Sequence, residues 1–84
     1  MLNLRFSKSS ARFLKKCVNS IYNRLIKKIN ELQLNPFPSD AKRVEGRKEK
    51  TFRIRIGDYR VLYLLMKENN DLLIVEIKKR QRAY

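Results

Sequence analysis

The sequence predicts a small α+β domain spanning residues 1–84 as one unit, ordered β-α-α-β-β-β, with an antiparallel meander sheet and two helices packed on one of its faces. Three patterns predict it. Two apolar stripes at helical spacing fill much of the first half. A hairpin signature runs through residues 51–63, where Phe52, Ile54 and Ile56 alternate with Arg53 and Arg55, Gly57-Asp58 breaks the run, and aromatic and β-branched residues resume at Tyr59. A last apolar run, residues 72–77, follows the turn cluster Lys67-Glu68-Asn69-Asn70-Asp71.

Taken in order, Leu2, Leu4 and Phe6 alternate with polar residues and read as a short first strand. Ser7 offers an N-cap to a helix bearing Ala11, Phe13, Leu14, Cys17 and Val18 on its apolar side and Lys8, Arg12, Lys15 and Lys16 on its wet side. Cys17 on that face reads as a buried structural thiol. The Asn19-Ser20 pair is a break and a second cap, and Ile21, Tyr22, Leu25, Ile26, Ile29 and Leu32 mark a longer amphipathic helix that must end before Pro36. Residues 35–50 are irregular and basic, with residues 40–44 compatible with a turn of helix. The run Val61-Leu62-Tyr63-Leu64-Leu65-Met66 is apolar on both faces, as a covered central strand is. Together with the helix stripes it exceeds what 84 residues can cover, which calls for a partner surface.

If Gly57-Asp58 is a two-residue turn, Ile56 faces Tyr59, Arg55 faces Arg60, Ile54 faces Val61 and Arg53 faces Leu62. Cross-strand partners share a face, so Arg53, Arg55 and Arg60 project together from one side. Opposed like charges are unfavourable in a sheet unless an anion sits on them, and phosphate suits arginine best. The charge balance agrees. Twenty-one Lys and Arg against eight Asp and Glu give +13, more than solubility requires, and an anionic partner is expected, nucleic acid first. The longest apolar run is far short of the roughly 20 residues of a membrane span. With no signal-peptide pattern and one cysteine, the reading is a cytoplasmic protein that uses no membrane.

The chain has no histidine, cysteine pair, carboxylate cluster or glycine-rich loop, so no metal, small-molecule cofactor, Ser-His nucleophile or nucleotide cradle is supported. An enzyme made of Arg, Lys and Tyr suits one reaction. In RNA cleavage the substrate's own 2′-hydroxyl attacks the adjacent phosphate, and the protein need only align the atoms and stabilise the phosphorane charge.

The segments Lys42-Arg43-Val44-Glu45-Gly46, Phe52-Arg53-Ile54-Arg55, Gly57-Asp58-Tyr59-Arg60-Val61-Leu62-Tyr63 and Lys79-Arg80-Gln81-Arg82-Ala83-Tyr84 resemble the RelE/ParE toxin superfamily, and within it the RelE-type messenger RNA interferases. The resemblance implies a RelE-like fold akin to microbial ribonucleases. It also implies a toxin of a type II toxin–antitoxin system that cuts messenger RNA in the ribosomal A site without a metal and so stops translation. Its partners would be mRNA, the ribosome with its rRNA, and a cognate acidic RelB-like antitoxin. Carried over by position, the catalytic residues are Arg60, Arg80 and Tyr84, with Arg82 the alternative to Arg80, and Arg53 and Arg55 lie on the binding strand. Lys50, Lys48, Arg47, Lys79 and Arg82 extend the RNA-binding set. Arginine cannot act as a base, which leaves Tyr84 as the base that can be named. Two alternatives remain: a ParE-like toxin that inhibits gyrase, and a non-catalytic basic module that binds RNA or the ribosome.

Overall fold

The computed structural model of the chain describes residues 1–80. Strand β1 (Asn3–Phe6) leads through Ser7 into α1 (Lys8–Lys16), and two residues later α2 (Asn19–Leu34) begins. A loop with both prolines then gives β2 (Lys42–Val44), β3 (Thr51–Ile56), β4 (Tyr59–Met66) and β5 (Asp71–Lys79). The five strands form one sheet in the order β1-β5-β4-β3-β2. The fold class is the expected one with two additions. Residues 42–44, expected as a possible helical turn, pair antiparallel with β3 as an edge strand. Strand β1 pairs parallel to β5, so the sheet is mixed, because the two helices carry the chain across the sheet before it returns to the far edge.

Side chains from both helices meet one sheet face. Leu14, Leu25, Ile29 and Leu32 pack with Ile54, Val61, Tyr63, Leu72, Ile74 and Ile77 in one core. The helix caps differ from each other. Ser7 accepts a hydrogen bond from the Ser10 amide, as its position predicts. At α2 the cap is Val18 with no side-chain bond, so the Asn19-Ser20 pair lies inside the helix instead of capping it. Cys17 is only half-buried, since α1 ends at Lys16 and its thiol comes to lie at the mouth of a groove. Asn35 closes α2 one residue before Pro36, whose carbonyl accepts the Tyr63 hydroxyl at 2.7 Å. Burial, and secondarily the nearby Asp40 carboxylate, pushes the Tyr63 phenol up to about 12.

Strand β5 contains the feature that sets the opposite face. Its register against β4 shifts between Leu62 and Tyr63: Leu62 faces Glu76, Tyr63 faces Ile74, and Val75 has no partner. This bulge lets Ile77 and Ile74, three residues apart, both point into the core, which strict alternation forbids. The N-terminus of α1 supports it. Ser7 Oγ donates to the Val75 carbonyl at 2.6 Å, and Ser10 Oγ donates to the Ile74 carbonyl at 2.9 Å. On the helix-free face Leu62 and Leu64 are buried all the same, flanked in register by residues of β3 and β5. The expected surplus of apolar surface on β4 is therefore absent up to Leu64, and only its last residue, Met66, is exposed.

Candidate functional site

The hairpin forms in the register the sequence implies: Ile56 faces Tyr59, Arg55 faces Arg60, Ile54 faces Val61 and Arg53 faces Leu62. Gly57 has φ +58° and Asp58 is not left-handed, the type II′ pattern that asks for glycine first. A side chain at position 57 would also collide with the Arg24 guanidinium of α2, so a fourth arginine lies against the turn.

The register extends this face across the sheet. Lys78 faces Arg60, giving a row Arg55-Arg60-Lys78 on three adjacent strands, about 10 Å wide at the usual strand spacing. The next row reads Lys42-Arg53-Leu62-Glu76. Glu76 Oε1 lies 3.5 Å from Lys78 Nζ. No ion pair among the described residues involves Arg53, Arg55 or Arg60, so their charge is available to an outside anion. Arg80 joins them from twenty residues further along the chain. Its amide donates to the Asp58 carbonyl, and Arg80 lines a small cavity of about 110 Å³ with Arg55, Gly57, Asp58, Tyr59 and Arg60. Two or three guanidinium groups around a space of that size can hold a phosphate through paired hydrogen bonds.

The other expected residues divide. Lys79 faces Tyr59, which is on the core side of the hairpin; it lines a groove with Arg12, Phe13, Lys16 and Ile21, on the opposite face from the arginines. The alternation of β5 puts Lys78 on the arginine face and Lys79 on the opposite one. Arg47, Lys48 and Lys50 are exposed in the β2–β3 loop, at the other end of β3 from the arginine cavity. Six residues of strand put about 17 Å between the two ends. Arg82 and Tyr84 lie outside the described residues. Sequence reasoning counted Lys42 in the basic loop without its place beside Arg53, and it missed Lys78 and Glu76, whose place depends on strand neighbours not adjacent in sequence, and Arg24, which reaches the turn through helix packing. Ile74 and Ile77 at a spacing of three were the one visible sign of the bulge. Among the described residues no group of three His, Cys, Asp or Glu could hold a metal.

Residues 4–84 match the family model for the ParE toxin of the type II toxin–antitoxin system parDE. The chain belongs to this toxin family. Among its relatives is a protein of Methanocaldococcus jannaschii described as toxin RelE1, 32% identical over 85 residues that cover 98% of this chain and 93% of that one. The toxin's fold is also that of solved RelE structures. In the archaeal RelE–RelB complex of Pyrococcus horikoshii OT3 the matched chain has a TM-score of 0.81 and 27% identity, covering 98% of each chain. In the RelBE2 toxin–antitoxin complex of Mycobacterium tuberculosis the values are 0.79 and 25%, covering 94% of this chain and 91% of that one. The isolated Escherichia coli RelE toxin shares the fold at a TM-score of 0.80 and 20% identity, over 99% and 88% of the two chains. The chain is thus a RelE-type toxin, and no described helix is long and apolar enough to cross a membrane.

Proposed function

We propose that this toxin is a metal-independent endoribonuclease that cuts messenger RNA in the ribosomal A site and so stops translation. The observation that carries the reading is the convergence of Arg55, Arg60 and Arg80 around one small cavity, on a sheet face that continues through Arg53, Lys42 and Lys78. Such a face binds a phosphodiester and stabilises the extra charge of a phosphorane while the RNA supplies its own nucleophile. Arg60 and Arg80 act on the reacting phosphate, Arg53 and Arg55 hold the strand, and Tyr84 is the expected further participant. The toxin's partners on this reading are messenger RNA, the ribosome and a cognate acidic antitoxin. The antitoxin follows from the toxin–antitoxin complexes of the Pyrococcus and Mycobacterium relatives, and the +13 charge favours an acidic one.

Primer extension on a translated message tests the reading. The intact toxin should produce breaks within codons that an Arg60→Ala form does not. The matching family model carries ParE's name, which favours a second reading, inhibition of gyrase. Growth arrest with intact messages and loss of DNA supercoiling would replace the first reading with the second.

A further inference from the structure

The arginine face needs a group that accepts a proton. Guanidinium groups cannot, and a lysine ammonium is a donor with no acceptor. Tyr59 and Tyr63 lie on the core side of the hairpin, and Tyr63 is engaged with the Pro36 carbonyl. Of the carboxylates on this face among the described residues, Asp71 is 4% exposed, lies at the other end of β5 and is bound by Arg5 at 3.3 Å. Beside Asp58 of the turn, which lines the arginine cavity, and Tyr84, which lies outside the described residues, the candidate on the strands of this face is Glu76, and its place is specific.

Through Leu62 it stands in the same row as Arg53, and it is two residues along β5 from Lys78, in the row of Arg55 and Arg60. Strand spacings of about 4.8 Å across and 3.3 Å per residue along put it within a nucleotide's reach of the guanidinium groups. It also directly follows the unpaired Val75 of the bulge. That bulge is fixed by the bonds from Ser7 and Ser10, and bulges of this kind commonly aim side chains beside active sites. The plain alternative is a surface ion pair with Lys78. Such a pair, with the lysine side chain 63% exposed, adds little to stability, whereas a carboxylate amid cations weakens the hold on an anionic ligand. A face built only to bind RNA gains nothing from it.

We propose that Glu76 accepts the proton of the 2′-hydroxyl during cleavage, a role that rests on the ribonuclease reading above. As the proton passes to the Glu76 carboxylate, the 2′-oxygen forms its bond to phosphorus. The bond from phosphorus to the 5′-oxygen then breaks, and that oxygen takes a proton from water. The products are a 2′,3′-cyclic phosphate and a 5′-hydroxyl, and Glu76 returns its proton to solvent. Lys78, with its Nζ 3.5 Å from Glu76 Oε1, helps to position the carboxylate on this face.

The test is single-turnover cleavage on ribosomes programmed with a message, with ribosome binding measured beside it. Glu76→Gln should slow cleavage by about 10²- to 10⁴-fold, the usual worth of a general base. Its binding should be equal or tighter, because a negative charge has left a basic surface. Glu76→Ala should recover part of its rate when formate is added, which a merely structural role would not show. Glu76→Gln cutting within a few fold of the intact toxin overturns the role, as does a loss accompanied by weaker binding or one in Glu76→Ala that formate does not restore. An intact toxin that cuts no message overturns the ribonuclease reading and this role with it.

Discussion

At the scale of single residues, Arg60 is placed where function and stability pull in opposite directions. It faces Arg55 directly, and like charges opposed across an antiparallel pair cost a few tenths of a kcal/mol or more. Arg60→Ala should therefore cut messenger at least about 100-fold more slowly, the effect of removing one transition-state donor, while unfolding at the same or a slightly higher temperature. Rate and melting curve measured on one preparation check both halves. Tyr63 is the contrary case, a residue with structural work alone. Its hydroxyl bond to Pro36 fastens the proline loop to the sheet, and Tyr63→Phe should lose about 1 kcal/mol in a denaturant titration without altering cleavage. The same phenol makes the fold alkali-sensitive. Its folded pKa, about 12, exceeds the ordinary 10.0, so the folded state disfavours the phenolate. Stability from this group is complete below pH 10 and is lost as the pH rises toward 12, a loss that Tyr63→Phe should not show.

At the scale of elements, one serine joins a helix to a strand. Ser7 caps α1 through the Ser10 amide and donates to the Val75 carbonyl of the β5 bulge. Ser7→Ala should cost about 1 to 2 kcal/mol in a denaturant titration, the worth of a lost cap with a strand carbonyl left less well satisfied. Strand alternation makes a second, sharper forecast. Lys78 and Lys79 are adjacent in sequence but lie on opposite faces of β5. Titrating single-stranded RNA at several salt concentrations, Lys78→Ala should reduce the log–log salt slope by about 0.7, one phosphate contact on a single strand, and Lys79→Ala should leave it unchanged. Equal slopes for the two variants would mean that the RNA does not lie on the arginine face.

For the whole molecule the charge of +13 governs encounter with its partners. If Arg53, Arg55, Arg60 and Lys78 each meet a phosphate, four contacts give a salt slope of about −2.8. RNA affinity should then fall by about 50-fold over a fourfold rise in salt. An affinity that barely changes would take the sheet face out of RNA binding. The exposed Phe6, Val18, Tyr22 and Phe37 lie off that face or at its helix side, so an acidic antitoxin can combine apolar burial with charge there while the arginine cavity is a separate target.

The sequence by itself determined the two helices, the hairpin and its register. Period and turn chemistry are local, and Gly57-Asp58 leaves one pairing that buries Phe52, Ile54 and Val61 together. It also determined that Arg53, Arg55 and Arg60 share a face, because alternation carries that information along any strand. Tertiary structure decided the rest. Arg80 reaches the cavity because β5 lies beside β4 and its amide meets the Asp58 carbonyl, and no local rule connects residues so far apart. Lys78 rather than Lys79, and Glu76 on the arginine face, follow from which strand is neighbour to which. The bulge at Val75 follows from the core's demand for both Ile74 and Ile77. Residues 42–44 became a strand because β3 offered an unpaired edge, and the loop's own composition carried no such signal. Side-chain chemistry was legible in the one dimension of the chain, whereas the assembly of a site from four strands and a helix required the sheet order that only packing fixes.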